Sequence, residues 1–352
     1  MKVDLRTPPS HPVSEMVEFA RKCEEAGFYA CGFNDSQLYF RDTYVVSSHV
    51  LAATDSLVVH PALTCPGPRH SSVIASAART AQEAGPGRFE VWLGRGDAAA
   101  STIGRAPLTL RETRQAVSEI KRAMAGEWGI WGDSHVHLHH SEGPPPPVFL
   151  AGRGPKVLGI AGELCDGALL AISPDVASVA QASRWVADGA AKAGRDAADV
   201  ELVLEVRTMI RETRRLAHRT HAPKLLPNLV RADAQEWLVA RGIDYDLAPI
   251  AERLREGWAA MQRLAPSASH PYDWAAAEEI ADAAIPPELQ AAAGDTMAVL
   301  GDPDYVAQRY LELQALGVKR VYLYANLSFQ WPEEERRAFG EVIGPALARA
   351  AG

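Results

Sequence analysis

Short runs of β-branched and aromatic residues alternate along the chain with longer stretches whose apolar positions recur at helical spacing. The first run covers residues 2–6. After Pro12 the apolar positions Val13, Met16, Val17, Ala20 and Cys23 share one helical face, and Gly27 ends that helix because glycine accepts the left-handed conformation past a helix terminus. Further strands are expected over 28–33, 56–63, 88–93, 148–151, 167–172, 201–210 and 320–325. The stretches between them predict helices over about 42–54, 70–84, 109–125, 155–164, 175–193 and 303–317, with a last one from 332 to the end. Residues 127–147 read as irregular, with a hairpin through Val136-His137-Leu138.

Eight strands in βα order predict parallel strands joined by crossover helices. The expected fold is an α/β (β/α)8 TIM barrel with a long helical insertion after strand seven, at about 211–298, the whole chain 1–352 forming one barrel domain. A doubly wound open sheet is the alternative. In a barrel the chemistry belongs to the loops at the strand C-termini, so those loops hold the candidates.

The chain has 352 residues, 47% hydrophobic and 23% charged, with a formal charge of −8. That balance is globular, and the negative charge argues against a nucleic-acid surface in favour of a small-molecule substrate. Cys23, Cys31, Cys65 and Cys165 lie far apart without a CxxC pair, a pattern that fits a reducing compartment. No apolar signal core opens the chain, and no apolar run is long enough to span a bilayer. A cytoplasmic protein with no membrane contact is expected.

Two glycine-rich loops stand out. Gly152-Arg153-Gly154-Pro155-Lys156 follows strand five and opens a helix. Glycines let backbone approach an anion, the first N–H groups of a helix bind one, and Arg153 or Lys156 adds charge. The spacing is neither GxxxxGK[ST] nor a good GxGxxG, so a ligand-free turn remains the alternative. Gly94-Arg95-Gly96-Asp97 follows strand four, where Arg95 can offer a bidentate donor set to a phosphate or simply point into solvent. Asp35, after strand two, is a candidate catalytic residue, with turn capping as the plain alternative. His70 opens the third helix near the active face, where it can touch a ligand or only start the helix. His135, His137, His139 and His140 cluster without a carboxylate or cysteine at fixed spacing, and no metal site is expected. The insertion carries Trp237, Tyr245, Trp258, Tyr272 and Trp274, suited either to a water-excluding lid or to fastening the insertion in place.

Gly87-Arg88-Phe89-Glu90-Val91-Trp92-Leu93-Gly94-Arg95-Gly96 resembles the fourth-strand signature of luciferase-like monooxygenases. The segment from Val148 to Leu158, with Ala161-Gly162-Glu163-Leu164-Cys165-Asp166-Gly167, resembles the branch of that superfamily containing methylenetetrahydromethanopterin reductase. Gly301-Asp302-Pro303-Asp304 and Leu316-Gly317-Val318 look like its near-terminal elements, and the resemblance spans about 1–211 and 298–350. It implies an FMN-dependent, monooxygenase-like oxidoreductase using reduced flavin and O2 on a small organic substrate. The alternative is a reductase or dehydrogenase of the deazaflavin coenzyme F-420 that moves a hydride. It also implies a homodimer and, for the flavin case, a separate flavin reductase as partner. Arg95 then resembles a phosphate-contacting arginine, Gly152, Arg153 and Gly154 lie in the phosphate loop, and the ring lies near Asp35, Thr64 and Gly94. A cis peptide is implied at Leu63-Thr64 or its neighbours. Luciferase-type members tend to carry Glu-His or His-His after strand two, whereas this chain has Asn34-Asp35-Ser36-Gln37, closer to the reductase branch. A non-redox barrel enzyme, of sugar-phosphate or amidohydrolase type, and a catalytically inert binding barrel are the remaining alternatives. Strand one lacks the His-x-His that the amidohydrolase version needs.

Overall fold

A computed structural model describes residues 1–96, 98–131, 133–264 and 270–351. The barrel strands are β1 (Lys2–Thr7), β2 (Ala30–Phe33), β3 (Val58–Pro61), β4 (Val91–Leu93), β5 (Val148–Gly152), β6 (Gly167–Leu170), β7 (Glu201–Ile210) and β8 (Arg320–Ala325). They run in the order β3-β2-β1-β8-β7-β6-β5-β4. Bridges from Val59 to Phe89 and from Thr64 to Leu93 join β3 to β4, so the ring nearly closes as the βα alternation requires. A short strand, Val299–Gly301, pairs in parallel with Thr208–Ile210 of β7 and is not among those expected from sequence.

The helices α1 (Val13–Glu25), α2 (Thr43–Ala53), α3 (Ser71–Glu83), α4 (Leu110–Met124), α5 (Pro155–Leu164) and α6 (Val176–Lys192) follow the first six strands. Their starts are written locally. Asp42, Thr109 and Asp175 accept from the free N–H groups of α2, α4 and α6, and Thr109 with Glu112 forms a capping box. Helices α5 and α6 touch through backbone: a methyl on Gly162 would lie 1.9 Å from the Val186 carbonyl oxygen, so only glycine permits that approach. A turn of helix at Ala98–Ser101 and a hairpin pairing Gly129–Trp131 with Ser134–Val136 complete this region. The hairpin therefore lies a few residues before the expected Val136-His137-Leu138.

The chain divides into two compact units, residues 1–205 with 317–323 and residues 206–316 with 324–352. The first holds a buried charged layer low in the barrel. Arg320 opens β8 at 0% exposure and donates from Nε to Asp4 at 3.0 and 3.1 Å, and from Nη1 and Nη2 to Glu90 at 3.0 and 2.8 Å. Trp92 Nε1 donates to Glu90, and His60 stacks on Trp92 with ring centroids 3.7 Å apart. Burial opposes ionisation of Asp4, but the Arg320 charge and His60 outweigh it and hold the carboxyl below its ordinary value. This layer sits at the N-terminal ends of the strands, the stabilising end of such a barrel.

The second unit contains α7 (Arg214–His221), α8 (Ala251–Arg263), α9 (Trp274–Ala284), α10 (Pro287–Asp295) and α11 (Pro303–Ala315). Its helices build their own core around Leu225, Leu226, Leu254, Met261, Ala281 and Leu289. Trp237, Tyr245 and Trp258 pack against that core, and Trp274 is buried with Nε1 donating to the Thr220 carbonyl. These four aromatics pack within the second unit itself. Tyr272 is 63% exposed and stacks on Phe329. All four cysteines are free and buried, and no described helix is long and apolar enough to cross a membrane.

Candidate active site

The candidate catalytic and cofactor-binding residues singled out from sequence lie in the loops after β2, β3, β4 and β5, with Gly152 closing β5 and Lys156 in the first turn of α5. Asn34 directly follows β2 and donates from Nδ2 to the Ala62 carbonyl at 3.2 Å, lacing this loop to the end of β3. The peptide bond between Ala62 and Leu63 is cis, one residue before the expected Leu63-Thr64 and among its neighbours. Thr64 is fully buried. Its N–H donates to Trp92 O, its carbonyl accepts from Gly94 N–H, and its hydroxyl donates to Asp35 Oδ2 at 2.7 Å. Thr64 and Gly94 are thus brought together with Asp35. A methyl on Gly94 would lie 3.0 Å from Leu63 Cδ1, so the space above that glycine is taken by Leu63.

Asp35 is 5% exposed and is gripped at two points by Arg69, Nε to Oδ2 and Nη2 to Oδ1, each at 3.0 Å. The same guanidinium reaches Asp42 Oδ2 at 2.7 Å and lies 5.3 Å from the Tyr44 ring centre. Asp35 does not cap the following helix; Asp42 does, accepting from Tyr44 and Val45. Burial works against the charge of Arg69, yet the two carboxylates outweigh it and raise its pKa. Burial also works against Asp42, and Arg69 with the backbone donors outweighs it and lowers the carboxyl. For Tyr44 burial prevails and the phenol is pushed up, so it stays protonated. The result is a fixed cation between two carboxylates beside a neutral phenol.

Arg69 and Tyr44 are not among the candidates that sequence suggests. The available signal is the burial of Asp35 itself, since a carboxylate expected inside a barrel mouth needs a cation. The neighbouring His70, the candidate in this loop, is exposed and serves as N-cap of α3, its Nδ1 accepting from Ser72 N–H. His70 also packs edge-on against Trp131.

The second group forms where α5 begins. Gly154 is its N-cap and offers no side chain, so the N–H groups of Lys156 and Val157 precede the first helical bond, from Leu158 N–H to Gly154 O, without a cap. Arg153 and Lys156 are exposed. Gly154 has φ −148°, and a methyl there would meet nothing within 4 Å. The backbone conformation therefore does not demand glycine; what glycine provides is open space before an uncapped helix. Gly152 differs, since a methyl there would crowd Val157 and Leu158 at 3.0 Å. Arg95 follows β4, the neighbour of β5, and spends Nε on the Leu108 carbonyl at 2.6 Å. Asp97 lies outside the described residues.

His135 and His137 pack around Trp128, His139 packs on His137, and His140 lies 3.5 Å from Ser76 Oγ. Among the described residues no group of His, Cys, Asp and Glu could hold a metal ion.

A 5,10-methylenetetrahydromethanopterin reductase of Archaeoglobus fulgidus is 25% identical over 360 residues, covering 99% of this chain and 100% of the relative. A protein of the same name from Methanolobus tindarius is 29% identical over 203 residues, 55% of this chain and 61% of the relative, so that match spans less than two thirds of the relative. An F420-dependent hydroxymycolic acid dehydrogenase of Mycobacterium tuberculosis is 27% identical over 199 residues, 51% of this chain and 55% of the relative. Among solved structures, the coenzyme F420 dependent tetrahydromethanopterin reductase of Methanopyrus kandleri superposes with a TM-score of 0.72 at 19% identity, covering 98% of each chain. A monooxygenase from Streptomyces bottropensis superposes at 0.65 and 16% identity over the whole of both chains. At these identities the superpositions show the shared fold. The family model for luciferase-like monooxygenases matches residues 2–320, and the chain therefore belongs to that family of oxidoreductases.

Proposed function

We propose that the protein transfers a hydride between the deazaflavin coenzyme F-420 and a small organic substrate, rather than activating O2 with FMN. The observation that carries this reading is the Asp35–Arg69 pair. A histidine after strand two would exchange protons near neutral pH, as peroxide chemistry demands. A buried carboxylate with both oxygens gripped by arginine is instead locked in place as the partner of a fixed cation. Hydride transfer asks for something simpler: a fixed ring, a dry face and a held substrate. The reductase and dehydrogenase names of the relatives support the same reading.

The residues present fit a phosphorylated cofactor. The N–H groups of Lys156 and Val157, with open space before Gly154, suit its phosphate, and Arg95 and Arg153 supply charge. Asp35, Thr64 and Gly94 border the ring position, where the coenzyme supplies the hydride carbon. Asp35 and Thr64 hold Arg69 in place there, while Tyr44 remains a neutral donor.

The test is turnover with reduced F-420 and a panel of small acceptors, under argon and under air. Equal rates in both are expected. Activity that appears only with reduced FMN and oxygen would establish the monooxygenase reading instead.

Two substitutions test the phosphate loops. Arg95→Ala is expected to weaken F-420 binding by about 10- to 100-fold, since a charge-assisted contact contributes about 1.5–3 kcal/mol. The phosphate-free ring core of the coenzyme should be nearly indifferent, and equal loss for both ligands would reveal a general loosening of the Leu108 loop. Gly154→Val should fold normally, because a Cβ at this position meets nothing within 4 Å and its φ of −148° suits valine, yet lose phosphate-dependent binding. Normal affinity in that variant would make the loop a plain turn.

A further inference from the structure

The second unit holds a polar pair that no step above uses. His221 ends α7, which follows β7, and Asn326 directly follows β8; they are 0% and 1% exposed. Asn326 Nδ2 and His221 Nδ1 are 3.1 Å apart. Burial first, then the charges of Arg207 and Lys224, push the imidazole down to about 3, so it is neutral. A neutral ring accepting at Nδ1 carries its proton on Nε2. Among the described residues, His221 Nε2 and Asn326 Oδ1 have no hydrogen-bond partner. Turning the amide over only exchanges the roles: one buried donor and one buried acceptor are left over either way.

Buried polar atoms are nearly always paired, and those left open in a native structure ask for a ligand or a water. Ala217, one turn before His221, and Leu327, next to Asn326, belong to an apolar cluster with Met209, Trp274 and Leu300, while Arg207, Lys224, His218 and Asp295 are the charged or titratable groups that act on the imidazole. The nearby cations lie against rings: Arg207 is 5.3 Å from the Tyr324 ring centre and Lys224 is 5.1 Å from that of Trp274. Both polar residues lie beyond the C-terminal ends of barrel strands, where barrel enzymes bind their substrates.

We infer that His221 and Asn326 form a ligand site within the second unit, binding an uncharged group that carries both a donor and an acceptor, as a cyclic amide does. The pair selects such ligands because one lacking either function leaves a buried group unpaired.

Dihydrouracil serves as the probe, its doubly N-methylated form and acetate as controls, and NMR of protein labelled at the histidine ring nitrogens as the readout. Dihydrouracil should shift the His221 signals saturably. The methylated form should bind about tenfold more weakly, for the loss of one buried hydrogen bond, and acetate should leave the signals unmoved. Asn326→Leu, close in volume, should abolish the response to dihydrouracil. Equal shifts from all three compounds, or no shift with dihydrouracil because a water holds the site, would overturn the inference. Wild-type protein answers this question without any variant. Coenzyme binding, followed separately by fluorescence quenching, tests the hydride-transfer reading, so the two can fail independently.

Discussion

Arg320→Met is expected to destabilise the folded chain by about 3–5 kcal/mol, because it leaves two buried carboxylates facing no cation. In the native barrel the Arg320 guanidinium is shared by Asp4 and Glu90, and its carbon lies 4.6 Å from the Tyr29 ring centre. Total stabilities are about 5–15 kcal/mol, so the variant should melt far below the native chain or fail to fold. The pH dependence carries a sign. With Arg320 present, the depressed Asp4 carboxyl contributes stability at neutral pH that is lost as the medium is acidified through its folded pKa. Without Arg320, a buried Asp4 is pushed upward instead and is relieved by taking a proton. The deficit of the variant should therefore be largest near neutrality and narrow toward about pH 4. Denaturant unfolding of both proteins across that range checks this. A deficit under about 1 kcal/mol at neutral pH would mean that the layer contributes no more than an exposed ion pair.

Asp35→Asn keeps the shape and removes the charge. Turnover should fall about 100-fold, the loss expected when a positioning contact is released and Arg69 shifts by about 1 Å. Coenzyme affinity should change little, because the phosphate loops are untouched. Since both oxygens of Asp35 are engaged, Arg69→Ala should cause much of the same loss, and the double variant should be little worse than either single one. Rates, coenzyme affinity and melting temperature measured on all three variants separate a site defect from a folding defect. Preserved turnover would remove Asp35 from the active site.

The barrel is legible from sequence because its long elements repeat a simple pattern. The expected bounds of β7 and β8, 201–210 and 320–325, are those observed. The expected 28–33, 56–63 and 88–93 are too long, since regular pairing covers only Ala30–Phe33, Val58–Pro61 and Val91–Leu93. At the start of the last run, Arg88 is drawn aside to cap the Leu51 and Leu57 carbonyls. Val299–Gly301 and Ala98–Ser101 are too short to carry a period. The glycine-rich loops announce themselves through composition and proline placement. The Asp35–Arg69 pair does not, because it joins residues 34 positions apart through side chains alone. His221 and Asn326, 105 positions apart, are hidden for the same reason.

The central claim is tested most directly by anaerobic titration of the purified protein with coenzyme F-420 and with FMN, each followed by fluorescence quenching. Saturable binding of F-420, tighter than that of FMN by about tenfold or more (about 1.4 kcal/mol), and lost in Gly154→Val, is the predicted result. Tight binding of FMN with none of F-420 would contradict it.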